Sequence, residues 1–434
     1  MIDKSTLKIL LIIPGSGDTF YCGNCFRDNL YAQALRNAGH DVSIMPLYLP
    51  LTDKSFQANT PLFFPATSYY IAQKYFGKRK MPIFFEKILE SPSILRLASS
   101  FSGTTSAKGM EQMTLSMIKG DDRNFYKQTE KLIYWIENHE RPDIIHLSSS
   151  LLIGIAKAIK NKIKIPIVCS LQDEEIWLDS LESKYAQEAW KSIQQNINYI
   201  DRFIVSSEFY KSSALHKIPE INNIDLIYPG VNIDKYKYSN YPKEPTIGFY
   251  YRLNYENGLD ILAQSFVNLK KENSIPDLKL KIGGGYTREN KNFVNYIKNI
   301  LQPVVNEVFW SENYTLEEHE TFYRDISLIC VPLRFNEAVG LYLCEAFAAG
   351  RPAVAPDAGS FSEIVGKSGV LYKPNTIEAL SQAIFKILTD KELYKKSAEN
   401  AVELSKIRYN EQFLAEKLTK LYKFVITDTS KNSK

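Results

Sequence analysis

"LKILLIIPG" at residues 7–15 is followed by "FRDNLYAQALRNAGH" at 26–40 and "DVSIMPLY" at 41–48, and the order of these stretches decides the fold class. The first is a short continuous apolar run closed by glycine, which fits a strand buried on both faces. The second places Phe26, Leu30, Ala34 and Ala38 at helical spacing, and the third is apolar again. Strand, helix and strand in succession make a crossover unit, so a parallel sheet is expected.

The same alternation continues along the chain. "PDIIHLSS" (142–149), "IPIVCSLQ" (165–172), "DRFIVSS" (201–207) and "IDLIYPG" (224–230) read as further buried strands, separated by helical segments such as 123–139 and 180–198. Near Pro245 the alternation restarts with "TIGFYYR" (246–252), a helix carrying Leu259, Leu262, Phe266 and Leu269 on one face, "LKLKIGGG" (278–285), "NEVFW" (306–310), "SLICVPL" (327–333) and "RPAVAP" (351–356). The fold class is therefore α/β, with two Rossmann-like doubly wound domains facing a cleft. The first spans 1–230, a Pro-, Gly-, Asn- and Tyr-rich linker 231–244, and the second 245–405. A last helical segment, 406–434, is expected to cross back onto the first domain, with "DTSKNSK" (428–434) frayed.

Residues 51–122 fit the alternation poorly. Aromatics and lysines interleave in "PLFFPATSYYIAQKYFGKRKMPIFF" (61–85), which reads as an elaborated helical insertion or as a flap for an acceptor or a membrane surface. "DD" at 121–122 reads as a helix cap.

Composition narrows the function classes. Hydrophobic residues are 44%, charged residues 24% and net charge +4, too weak a balance to argue for nucleic acid. No apolar run reaches the roughly 18–20 residues that span a bilayer, and the start lacks a signal-peptide pattern, so a cytoplasmic protein is expected, with peripheral contact at the inner membrane face left open. Cys169, Cys330 and Cys344 lie in apolar runs and read as packing residues. Cys22 and Cys25 form "YCGNC" without a second ligand pair, and read as part of a glycine-containing loop rather than a redox or metal site.

The chemistry concentrates in "RFNEAVGLYLCEAFAAGRPAVAP" (334–356). A strand ends in a polar loop, and Gly340 opens a helix closed by Gly350. Backbone N–H groups of Val339, Gly340 and Leu341 then point from a helix N-terminus, a place for phosphate or sugar hydroxyls. Glu337 lies in front of that position, and Glu345 lies about a turn inside the helix, where a carboxylate can accept from a vicinal diol.

These residues resemble the Glu-x7-Glu signature of the retaining family 4 glycosyltransferases of the GT-B fold, and "AFAAGRPAVAPDAGSFSEIV" (346–365) is similar to the pattern that follows it there. "NAGHDV", "RPDIIHL", "DRFIVSSEFYKSSALHK", "IDLIYPGVNIDKY", "FYYRLNYENGLDILAQSF", "KIGGG" and "VFW" extend the resemblance over most of the chain. It implies a nucleoside diphosphate sugar as donor and an acceptor hydroxyl on a glycan or lipid-linked sugar; no cofactor is expected, and without an Asp-x-Asp on a loop beside a strand to recruit Mg²⁺ no metal is expected either. It implies that Arg252 contacts the donor diphosphate, Glu337 the transferred sugar and Glu345 the ribose, with Gly23 and Asn24 facing the reacting centre from the other lobe. A planar cation with five donors suits a diphosphate in a low-dielectric cleft.

Two positions depart from the family. Asn257 stands where a lysine is usual, so a second cation on the diphosphate must come from elsewhere, with Arg334 or Arg27 as candidates. Gln172 stands where a histidine is frequent; it can bond a sugar hydroxyl but transfers no proton near neutral pH. Asp173, Glu174 and His146 are neighbouring candidates, His146 being equally readable as a satisfied strand-end histidine. The departures keep two alternatives in view: a weak or inactive sugar-nucleotide-binding protein, and a GT-B epimerase or phosphorylase.

Overall fold

The computed structural model describes residues 5–15, 23–47, 110–120, 123–236, 244–311, 319 and 321–432 of the chain. The insertion expected at 51–122 is represented there only by residues 110–120, which include a helix over Glu111–Lys119; the cap expected at 121–122 lies outside the described residues.

Two six-stranded sheets form the frame. The first contains β1 (Lys8–Ile13), β2 (Asp41–Pro46), β3 (Ile144–Leu147), β4 (Ile167–Ser170), β5 (Arg202–Val205) and β6 (Ile224–Leu226) in the order β2-β1-β3-β4-β5-β6. The second contains β7 (Thr246–Tyr250), β8 (Lys279–Gly283), β9 (Val308–Ser311), β10 (Leu328–Cys330), β11 (Ala353–Pro356) and β12 (Gly369–Tyr372) in the order β12-β11-β10-β7-β8-β9. Every pairing is parallel, with registers such as Ile9↔Ile144 and Ile247↔Leu280.

Helices cover both faces of each sheet, which is why the strands read as unbroken apolar runs. In the first lobe Ile9, Leu11, Ile144, Val168 and Ile204 pack on one face with Tyr31 and Leu35 of α1 (Gly23–Asn37). Leu10, Ile12, Ile145, Leu147, Cys169 and Phe203 fill the opposite core, as the two-residue period of a strand requires. The terminal helix Glu411–Asn432 contributes Leu414, Leu418, Leu421 and Tyr422 to the core beneath α1.

Three local expectations are corrected. The sixth strand of the second sheet, Gly369–Tyr372, escapes the sequence reading: it is a four-residue edge strand with three residues half-buried and Tyr372 buried. The expected fraying at 428–434 does not hold through Asn432, which still belongs to the terminal helix. Cys25 lies in the first turn of α1 and is disulfide-bonded, while Cys169, Cys330 and Cys344 are free and buried.

The strand orders place the functional region. Neighbouring connections diverge between β1 and β3 in one sheet and between β7 and β10 in the other, opening a crevice beyond the strands' carboxyl ends. The loops bearing Arg252 and Glu337 follow β7 and β10; α1 and Ser148 follow β1 and β3.

Candidate active site between the two lobes

Arg252 lies two residues beyond β7 and is 7% exposed. Its guanidinium donates to Thr287 Oγ1 and Asn290 Oδ1, both at 3.3 Å. Burial lowers its pKa to about 10, leaving it charged at neutral pH. Asn257 is buried beneath the same loop and donates from Nδ2 to the Arg252 carbonyl at 2.6 Å, so it braces Arg252 from behind. The glycine turn after β8 supports the other side: Leu253 N–H donates to the Gly285 carbonyl (2.9 Å), and a Cβ on Gly284, at φ +111°, would meet the Tyr251 carbonyl oxygen at 2.3 Å.

Glu337, 6% exposed, faces Arg252's neighbour. Its carboxylate accepts from Tyr251 O–H at 3.2 Å and from the backbone N–H of Gly340. Burial pushes its pKa up to about 7, partly offset by these two donors. Gly340, at φ 63°, turns the chain into α2 (Leu341–Ala348), with Val339 and Leu341 buried on either side. Gly359 presses on the loop from behind: a Cβ there would lie 2.9 Å from the Glu337 nitrogen, and the next residue, Ser360, donates from its backbone to the Glu337 carbonyl at 3.1 Å.

Glu345 is fully enclosed. Its carboxylate accepts from Tyr236 O–H (3.2 Å) and Tyr323 O–H (2.6 Å), and its Oε2 lies 3.0 Å from His319 Nε2. It therefore ties the segment between the lobes to the second lobe.

The first lobe supplies the opposing wall. Gly23 and Asn24 open α1, half-buried and exposed respectively, and one turn on Arg27 and Asp28 form a buried ion pair (2.9 Å). Arg27 also donates to the Ser148 carbonyl (2.9 Å), which accepts from Gln172 Nε2 as well (2.6 Å). Burial raises Asp28 to about 6 against the pull of Arg27. Gln172 Oε1 and Arg27 Nε are buried with no hydrogen-bond partner among the described residues, whereas the Ser148 side chain bonds the Asp28 carboxyl.

Asp173 follows Gln172 in the left-handed conformation, φ 52°, and its Oδ1 accepts from the backbone N–H of Ala338 across the cleft at 3.0 Å. Part of its surface stays open, yet both lobes enclose it; this burial, and then the Glu337 charge, hold its carboxyl well above the usual range. Glu174 turns away, its carboxylate consumed by Ser149 Oγ, Ser150 N–H, Gln172 N–H and Tyr210 O–H.

Two candidates fall elsewhere. His146 is buried with Nδ1 2.7 Å from Tyr422 O–H and Nε2 2.8 Å from Ser170 Oγ, and burial lowers its pKa to about 3, so it is a neutral tie between β3 and the terminal helix rather than a sugar contact. Arg334 forms a two-pronged pair with Asp260 (2.8 and 2.7 Å) and lies over the Tyr255 ring, so its guanidinium is engaged within the second lobe. Tyr251, Ser207 and Tyr228 enter the interface without a sequence signal, because their roles depend on partners far along the chain.

Comparison with known proteins bears on the family and the fold. A family model described as "Glycosyl transferases group 1" matches residues 232–404, and one described as "Glycosyltransferase Family 4" matches 115–235. The YtcC protein of Bacillus subtilis (strain 168) is 24% identical over 314 residues, covering 67% of this chain and 74% of that one. Among solved structures, sucrose-phosphate synthase from Thermosynechococcus elongatus superposes with a TM-score of 0.70 at 16% identity, covering 97% of this chain and all of the other. Anabaena Alr3699/HepE, in complex with UDP and glucose, superposes with a TM-score of 0.65 at 15% identity over 96% and 99% of the two chains. No helix among the described residues is long and apolar enough to cross a membrane.

Proposed function

We propose, from the premise that this chain belongs to the family 4 glycosyltransferases of the GT-B fold, that it transfers a sugar from a nucleoside diphosphate donor to a glycan or lipid-linked hydroxyl with retention of configuration. The observation that carries the reading is the convergence of Arg252, Glu337 and the α2 N-terminus at one switch point, opposite Gln172 and Asp173 of the other lobe.

In this reading Arg252 and the helix start hold the diphosphate, Glu337 binds a hydroxyl of the transferred sugar, and the partnerless Gln172 Oε1 serves a polar group at the reacting centre. Glu345 reaches the ribose only if a donor hydroxyl replaces one of its present partners. The acceptor oxygen attacks the anomeric carbon on the face from which the diphosphate leaves. The new C–O bond forms as the bond to phosphate oxygen breaks, and the acceptor proton passes to that departing oxygen. Closure of the lobes keeps water from taking the acceptor's place. This scheme uses no metal.

The test is a thermal-shift and calorimetry panel of UDP, GDP, ADP and dTDP sugars with EDTA present, followed by transfer or slow hydrolysis of the binding donor. Binding with turnover supports the transferase; absence of binding across the panel overturns it. A second reading, donor binding without transfer, draws on Asn257, whose side chain is spent on the Arg252 carbonyl and supplies no second cation. Tight binding with no turnover in any acceptor extract would favour it.

A further inference from the structure

The Glu337 loop is held from two directions by the first lobe. Ser207 is the N-cap of α3 (Glu208–Lys217), accepting from Tyr210 N–H at 3.0 Å, and its hydroxyl donates to the Ala338 carbonyl at 2.5 Å. The N–H of the same residue donates to Asp173. Behind the loop, α4 (Phe361–Val365) of the second lobe sends Glu363 across the gap. Its carboxylate accepts from the backbone N–H groups of Glu208 (3.0 Å) and Phe209 (3.2 Å) and from Tyr228 O–H (2.5 Å). All three donors lie outside the second sheet, on α3 and in the segment that follows β6.

We infer that Glu363 is a positioning residue for the reaction: it latches the lobes in the closed arrangement and, through Gly359 and Ser360, fixes the Glu337 loop in that arrangement. The chemistry of the latch is favourable at both ends. The first turn of α3 presents N–H groups without intrahelical partners and a positive dipole end, and a carboxylate satisfies both. The mechanical link is short. Ser360 N–H holds the Glu337 carbonyl, Ser360 C=O accepts from Ile364 N–H at 2.9 Å, and no side chain fits between Gly359 and the loop. Opening the lobes therefore removes three bonds from Glu363 and both bonds from Ala338 together, which makes closure cooperative rather than gradual. This inference rests on the transferase reading for its kinetic consequence but not for its structural one.

The experiment measures lobe separation in the full chain without ligand. Spin labels at two exposed positions, Lys184 in the first lobe and Asn295 in the second, report the distance distribution in wild type and in Glu363→Ala. A longer, broader distribution is expected in the variant, and a distribution identical to wild type in a folded variant overturns the latch. Calorimetry with UDP as probe and turnover of the donor found above give the kinetic arm: UDP affinity within about 3-fold of wild type and kcat lowered at least about 10-fold, the pattern of lost positioning. If UDP affinity falls as far as kcat, the residue acts through donor binding and the assignment fails. If Glu363→Ala does not fold, Tyr228→Phe combined with Ser207→Ala removes two inter-lobe bonds and must broaden the same distribution. The distance arm requires no activity, so failure of the latch is distinguishable from failure of the transferase reading.

Discussion

The Asp173 carboxylate accepts a 3.0 Å hydrogen bond from the backbone N–H of Ala338, the residue beside Glu337, although 165 positions separate them in the chain. Two acids from different lobes thus share one enclosed space. Burial raises both, and the Glu337 charge raises Asp173 further, so a proton is held in that space more tightly than on either carboxyl alone in water.

The first prediction concerns that proton. Glu337 rises from 4.5 to about 7, so the folded protein binds the proton more tightly than the unfolded chain. Its stabilising contribution is complete below about pH 4.5 and is lost as pH rises through about 7, by up to ~3 kcal/mol. Denaturation of Glu337→Gln between pH 4.5 and 8 should lack this decline relative to wild type. Parallel pH profiles for the two proteins would show that the carboxyl is not enclosed in solution.

His146 predicts the opposite slope. Its pKa falls from 6.5 to about 3 on burial between Tyr422 and Ser170, so the unfolded chain takes the proton first on acidification. Stability from this site is present above pH 6.5 and lost below it, by ~3 kcal/mol at pH 4. His146→Gln should be less stable at pH 7.5 but show a shallower acid decline, and unchanged donor binding would place it outside the reaction.

Arg252 should be sensitive to shape as well as charge. Arg252→Ala is expected to lower turnover by about 100-fold or more, and Arg252→Lys to recover only part, because an ammonium lacks the fork that spans two phosphate oxygens. Steady-state rates at saturating donor measure this. Near-normal turnover in Arg252→Ala would assign the diphosphate to another cation, with Arg27 as the next to test.

Glu345 now carries a stability cost that its place in the motif does not reveal. Its removal breaks its contacts with Tyr236 O–H, Tyr323 O–H and His319 Nε2, each lost buried bond costing ~1–3 kcal/mol. Glu345→Ala should lower the unfolding midpoint clearly as well as weaken the donor. An unchanged midpoint would mean that water or rearranged side chains replace the carboxylate.

The two parallel sheets were legible because buried strands and the intervening helices leave patterns within ten to fifteen residues. "LKILLIIPG" and "TIGFYYR" are such cases, whereas the four-residue edge strand Gly369–Tyr372, opening on glycine, left none. The Glu337 loop was legible for a similar reason, since strand end, acid, glycine and helix follow one another in a single stretch.

By itself the sequence determined the α/β class, the family resemblance and the local order around Glu337 and Arg252, since each is written in neighbouring residues. Only the tertiary structure decided that His146 faces Tyr422, that Arg334 is spent on Asp260, that Glu345 is saturated, and that Glu363 reaches Glu208 and Phe209. The physical reason is separation: the Glu363 contacts join residues about 155 positions apart, and a hydrogen bond whose partners meet only after two sheets have packed imposes no period or spacing on the chain between them.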